Sequence, residues 1–418
     1  MNSLDGYQGV DSYWYDQVPS YWKKTKNKYV FCQDKHVVGE DWEKFTLLTM
    51  GKSGVKPRDM EGGGKFPASF ETYQTVEPNQ LIFCLFDLDE TPRTIGMSKD
   101  YGMITSAYDV FSTTEGNDPQ FWTYFYQTID DHKGLRPFYT GLRKVVRSDT
   151  FMSIEVFSPP LEEQKLISRY LDKKTEQIDR LVERIHKKID LLKEQRSSLI
   201  NHCVTKGLDP NVEMKDSGVE WIGEIPKHYN LQKIKFLFVE KKSKPNSELS
   251  SGSISFGQVV YKDDESILQS TKESYQEVLE GEFLINPLNL NYDLKSLRIG
   301  KSKINVVVSQ GYIVLQILEG QDPNYIEYLL RKFDVIHMKS LGQGVRQTIS
   351  FNDLKNELLV VPPLEEQKNI VYELNKRTEE IDCLSKLEEK RILLMKEYRQ
   401  SLISSVVTGK VRVTEDMI

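Results

Sequence analysis

The sequence predicts an α+β fold in which two α+β domains are separated by two long helices forming an antiparallel coiled coil, built as a pseudo-two-fold internal repeat. Three observations predict it. A helical segment occurs twice at a fixed offset, neither copy is broken by glycine or proline, and short apolar runs between turn residues precede each copy. With 418 residues the chain exceeds one ordinary domain and holds material for two cores.

The elements follow in order. Residues 1–158 form the first domain, in which Gln80 to Leu85 reads as a strand. Residues 159–206 form the first long helix, opening on Pro159-Pro160-Leu161-Glu162-Glu163-Gln164-Lys165. Prolines are tolerated in a first turn, and the acidic residues after them suit the positive end of the helix dipole. Leu171, Ile178, Ile185, Leu192 and Leu199 recur every seven residues and make a coiled-coil seam, with Thr175, Val182, Ile189 and Arg196 beside it. Residues 207–217 read as a linker that starts at the helix-stopping Gly207, and residues 218–361 as the second domain. In that domain Ile304 to Val308 and Tyr312 to Leu318 read as strands and Pro323 to Lys332 as a short helix.

Residues 362–409 form the second long helix, and residues 410–418 a C-terminal tail. The opening seven residues return unchanged as Pro362 to Lys368, and 26 of the 47 positions from Pro159 to Thr205 match their partners 203 residues on. The second seam keeps Leu374, Ile381, Met395 and Leu402, places Glu388 where the first has Ile185, and is widened by Leu384, Leu387 and Leu394. If each connecting segment is one compact domain, the helices must run antiparallel.

The two domains resemble each other weakly but in order. Val18-Pro19 parallels Ile225-Pro226, Leu81-Ile82 parallels Leu284-Ile285, Asp118-Pro119 parallels Asp322-Pro323, and Gly141-Leu142-Arg143 parallels Gly344-Val345-Arg346. A constant frame carrying two diverged heads suggests a ruler that presents two binding surfaces at a set separation.

Composition narrows the function. The net charge of −6 excludes a uniformly basic nucleic-acid binder and leaves only local basic patches for that role. The four cysteines, Cys32, Cys84, Cys203 and Cys383, match no metal-ligand or redox spacing, so reduced thiols, no zinc and a cytoplasmic setting are expected. No export or membrane segment is expected.

The paired Pro-Pro-Leu-Glu-Glu-Gln boxes, the Thr-Glu-x-Ile-Asp segments that follow them, and Gly218-Val219-Glu220-Trp221-Ile222-Gly223-Glu224-Ile225-Pro226 resemble the specificity (S) subunits of type I restriction-modification enzymes. That resemblance implies two target-recognition domains reading an asymmetric bipartite DNA site. It also implies helices that dock two modification (methyltransferase) subunits, and restriction (translocase/nuclease) subunits as further partners. S-adenosylmethionine, ATP and Mg2+ would belong to those partners, with no cofactor in this chain. The alternatives are an S-like subunit of another restriction class, whose partner fuses methylation and cleavage, and a coiled-coil adaptor without DNA function.

No catalytic residue and no metal site is assigned. A Gly-x-x-x-x-Gly-Lys-Ser/Thr phosphate loop is absent. Asn286-Pro287-Leu288-Asn289 lacks the second proline and the aromatic that base-flipping adenine methyltransferases use, and reads as a strand terminus. Gly62-Gly63-Gly64-Lys65 reads as a loop, and the six histidines show no paired ligand spacing. The candidates for DNA contact are Lys52, Lys56, Arg58, Lys65 and Arg143 in the first domain, and Lys262, Gln343, Arg346 and Gln347 in the second. Lysine and arginine neutralise phosphates, arginine pairs with guanine, and glutamine pairs with adenine. Lys23, Lys24, Lys26 and Lys28 read as an exposed strand face.

Overall fold

A computed structural model describes residues 6–51, 54–58, 69–141, 144–242, 244–246, 248–263, 267–288, 297–341 and 348–418. The chain divides into two compact units. One joins residues 1–186 to residues 390–418, and the other comprises residues 187–389.

In the first unit a four-stranded antiparallel sheet has the order Phe31–Gln33, Asp109–Thr113, Leu81–Phe83, Ile95–Met97. Strand side chains alternate between faces. Leu81, Phe83 and Phe111 therefore enter the main core with Phe31, Trp122, Tyr126 and Phe151, while Ile82 and Val110 join Leu48, Val76 and Ile104 on the other face. A helix at Pro119–Asp131 covers the first face, capped by the carboxylate of Asp118, which accepts from the Phe121 amide at 2.9 Å. Two-stranded ladders pair Tyr7–Gly9 with Gln17–Pro19, Lys23–Lys26 with Glu155–Ser158, Leu48–Gly51 with Gly54–Pro57, and Gln74–Val76 with Gly102–Ile104.

The second unit repeats this plan strand for strand. Its sheet runs Phe238–Glu240, Ile313–Ile317, Phe283–Ile285, Ile299–Lys301, and its ladders pair Met214–Asp216 with Glu224–Pro226, Asn230–Lys233 with Leu358–Val361, Gly252–Ser255 with Gln258–Tyr261, and Gln276–Val278 with Val306–Val308. The helix Pro323–Ile336 is capped by Asp322 and runs one turn beyond its expected end at Lys332. Residues 214–216, inside the expected linker, are a strand.

The shared topology corrects one sequence correspondence. Ile82 lies opposite Gly96 and Val110, and Leu284 lies opposite Gly300 and Val314. The true partner of Ile82 is therefore Leu284, and that of Leu81 is Phe283. Matching Leu81-Ile82 to Leu284-Ile285 slips the strand by one residue and puts every side chain on the wrong face. Two all-apolar runs cannot reveal that slip, because both faces of this strand are buried.

The long helices span Leu161–Lys206 and Leu364–Val407. In the first unit Ile167, Tyr170 and Leu171 of one share the core with Ile403, Val406 and Val407 of the other, and further along Asp179 meets Arg399 at 3.4 Å. In the second unit Lys188 meets Glu388 at 2.6 Å and Arg196 meets Asp382 at 3.0 Å. Partner numbers fall as the first helix advances, so the pairing is antiparallel. Leu171, Ile178, Ile185, Leu192, Leu374 and Ile381 are buried, and Leu199, Met395 and Leu402 are half-buried. Leu384, Leu387 and Leu394 do not widen the seam: they are exposed.

Candidate nucleic-acid interface

The duplicated box holds each domain to its helix. The side chain of Gln164, 1% exposed, accepts from the Asp118 amide at 2.9 Å and donates to the Pro159 carbonyl at 2.8 Å. Gln367, equally buried, accepts from the Asp322 amide at 2.9 Å and donates to the Pro362 carbonyl at 2.9 Å. One amide thus ties the first turn of a long helix to the cap of a domain helix.

The neighbouring glutamate binds aromatic groups. Tyr21 and Trp22 donate to Glu163 at 3.0 and 3.4 Å, and in the second unit Tyr229 donates to Glu366 while His228 lies 2.8 Å from it. Burial and then the Glu366 carboxylate push the Tyr229 phenol well up. Gly409 and Gly207, with φ of +73° and +74°, close the two helices against these groups, and a Cβ on either would collide with Pro19 or with the Tyr229 hydroxyl at 2.5 Å.

Inside each domain a buried aspartate locks the sheet to its helix. Asp130 accepts from the amide and hydroxyl of Thr94 at 3.0 and 2.6 Å, and Asp334 accepts from the amides of Arg298 and Ile299. Gln74 and Gln276 likewise donate to the carbonyls of Tyr108 and Tyr312 at 2.6 and 2.7 Å. Sequence reasoning missed these groups. Their signal was their recurrence in both copies, hidden by insertions that shift the offset from 203 to 202 or 204.

On this frame sits a hairpin, Leu48–Gly51 with Gly54–Pro57 in one domain and Gly252–Ser255 with Gln258–Tyr261 in the other. The residue after each is basic and exposed: Arg58, whose amide donates to the Leu47 carbonyl at 2.8 Å, and Lys262, whose amide donates to the Ser251 carbonyl at 2.8 Å. Arg58 and Lys262 therefore occupy the same position in the two copies. Lys56 is exposed on the first hairpin, where the second has Val260.

Lys52, Lys65, Arg143, Gln343, Arg346 and Gln347 lie outside the described residues, as do Gly62 to Lys65 and Asn289. The segment on either side of Arg143 is anchored: Asp89 accepts from Arg136 at 2.7 Å, pairs with Lys144 at 3.1 Å, and is held at about 2 by them, Arg136 first. Of the lysine face, Lys23, Lys24 and Lys28 are exposed, Lys26 is half-buried, and Lys24 pairs with Glu155 at 2.8 Å. Lys28 and Lys235 each lie over the ring of the next residue, Tyr29 or Phe236, at 5.0 and 5.3 Å, and both rings are 63% exposed. Among the described residues no group of His, Cys, Asp and Glu could hold a metal ion, and no helix is long and apolar enough to cross a membrane.

Comparison with known proteins supplies the context. Residues 216–391 match the family model of the type I restriction modification DNA specificity domain. Over that segment the chain is similar to that specificity family. Two relatives from Methanocaldococcus jannaschii, described as the MjaX and MjaVIII type I restriction enzyme specificity subunits, are each 26% identical, over 61% and 66% of this chain. The matches span 59% and 66% of those relatives, under two thirds of their length. In fold this chain is similar to a chain from a type I R-M assembly, with TM-score 0.67, 12% identity and coverage of 94% of this chain and 99% of that one. It is also similar to the HsdS subunit of Thermoanaerobacter tengcongensis, with TM-score 0.54, 14% identity and coverage of 94% and 98%.

Proposed function

We propose that this chain recognises a bipartite, asymmetric DNA sequence, each α+β domain reading one half. It directs adenine methylation by modification subunits and cleavage by restriction subunits, and performs no chemistry itself. S-adenosylmethionine, ATP and Mg2+ belong to those partners, and the cytoplasm is its place of work.

The observation that carries this reading is the equivalence of Arg58 and Lys262. Both stand at the base of the same hairpin on the same sheet, in two domains that resemble each other only weakly in sequence. A cation kept in place on two diverged heads suits the phosphate backbone, which is alike at every sequence. The recurrent Lys28–Tyr29 and Lys235–Phe236 pairs support a second kind of contact, made twice to one type of partner, as two modification subunits would provide.

The test is duplex DNA binding across a salt series. Arg58→Ala and Lys262→Ala should each weaken binding to all sequences alike and lower the salt slope by about one. Affinity independent of salt, in wild type as in both variants, would reject DNA as the ligand.

A further inference from the structure

The two hairpins are mounted alike and tipped differently. Each lies against a glycine of the four-stranded sheet: a Cβ on Gly96 would come within 2.8 Å of the Val55 side chain, and one on Gly300 within 2.5 Å of the Gly257 carbonyl oxygen. These close approaches hold the hairpins rigidly to their domains. Between the strands the sequence reads Lys52-Ser53 in the first domain and Phe256-Gly257 in the second.

Phe256 stands out at its tip, 78% exposed and with φ of +47°, followed by Gly257 at +74°. Turns with both central φ values positive favour asparagine, aspartate or glycine. A phenylalanine there is strained, and a ring left mostly in water recovers little of that strain by packing. Ser255 and Gln258, on either side of the turn, are exposed as well.

We propose that Phe256 is a base-contacting, specificity-determining residue of the second domain. This rests on the reading of the chain as a DNA specificity subunit. The parts common to both hairpins, a rigid mount and a basic residue at the base, suit what is common to all DNA. The part that differs suits what differs between half-sites. An aromatic ring meets the thymine methyl, the apolar feature of the major groove, and the Gln258 amide beside it suits an adenine edge.

The test maps genomic methylation in cells carrying the modification subunit with the wild-type chain, Phe256→Ala or Phe256→Asn. One A·T position in one half-site should lose selectivity by roughly tenfold or more while the other half-site is kept. Both purified variants should unfold at or above the wild-type temperature, the asparagine variant higher because it tolerates a left-handed backbone. An unchanged motif, a relaxed G·C position, equal loss at both half-sites or a lowered unfolding temperature would each overturn the assignment. A wild-type pattern lacking two half-sites would instead sink the functional reading itself, which separates the two failures.

Discussion

Gln367 shows how much one side chain carries here. It is 1% exposed, and its amide satisfies a backbone donor at Asp322, a backbone acceptor at Pro362 and the Gln321 side chain. Gln367→Ala removes three partners at once in a buried site and should cost about 2 to 4 kcal/mol in denaturant unfolding. A loss under 0.5 kcal/mol would show that water replaces it. Lys332 gives a prediction in pH. It is 8% exposed, lies over the Trp221 ring at 5.9 Å, reaches the Thr205 hydroxyl at 3.5 Å, and is held down at about 8, by burial first and the Lys206 charge second. Its folded pKa lies below its unfolded value of 10.5, so between about pH 8 and 10.5 the unfolded chain holds a proton that the folded chain has released. Stability should therefore rise with pH across that window, by roughly 3 kcal/mol, and Lys332→Met should abolish the rise. Parallel stability curves for the two proteins would contradict it.

Among the elements, the long helices were legible and the domain interiors were not. Heptad spacing marks the buried seam because a coiled coil buries residues of the same helix at regular intervals, so Ile178 and Ile185 declare themselves locally. Asp130, Asp334 and the paired glutamines act across separations of tens of residues, and no local pattern marks such polar groups. The basic candidates were read singly, whereas the pairing of Arg58 with Lys262 needed the sheet register. One spacing did hold the clue: Arg58 precedes Gly96, and Lys262 precedes Gly300, by the same 38 positions. The seam invites two substitutions. Ile185, 5% exposed, should not accept aspartate, and Ile185→Asp should cost several kcal/mol or prevent folding. Glu388, 6% exposed at the equivalent place in the second helix, pairs with Lys188. Because the buried Glu388 carboxylate gives up solvation that apolar packing would not, while Lys188 stays 55% exposed, Glu388→Leu should leave thermal stability equal or raise it by up to about 2 kcal/mol. A clear loss would show that this pair stabilises the register of the helices.

At the scale of the whole molecule, the first unit is assembled from both ends of the chain. Val413 is buried in its core, Met417 and Ile418 pack against that core, Arg169 meets Glu415 at 3.3 Å, and the Tyr7 hydroxyl donates to the Gly409 carbonyl at 2.9 Å. The second unit is closed by residues from the middle of the sequence. This layout decides how a domain exchange should be made. Replacing residues 1–155 with the corresponding region of a relative leaves the box from Pro159 to Lys165 and the C-terminal tail in place. The transplanted domain then needs matching features at the join, chief among them an aspartate to cap its helix against Gln164, aromatic donors for Glu163, and an apolar surface for Val406, Val407 and Val413. A donor that keeps these should fold on the existing frame, with the second unit unaltered. Since Arg58 and its hairpin travel with the exchanged segment while Phe256 and Lys262 stay behind, methylation mapping should find one half of the recognition sequence replaced and the other retained. Both halves changing together would mean that the domains do not read independently, and neither changing would place sequence reading outside residues 1–155.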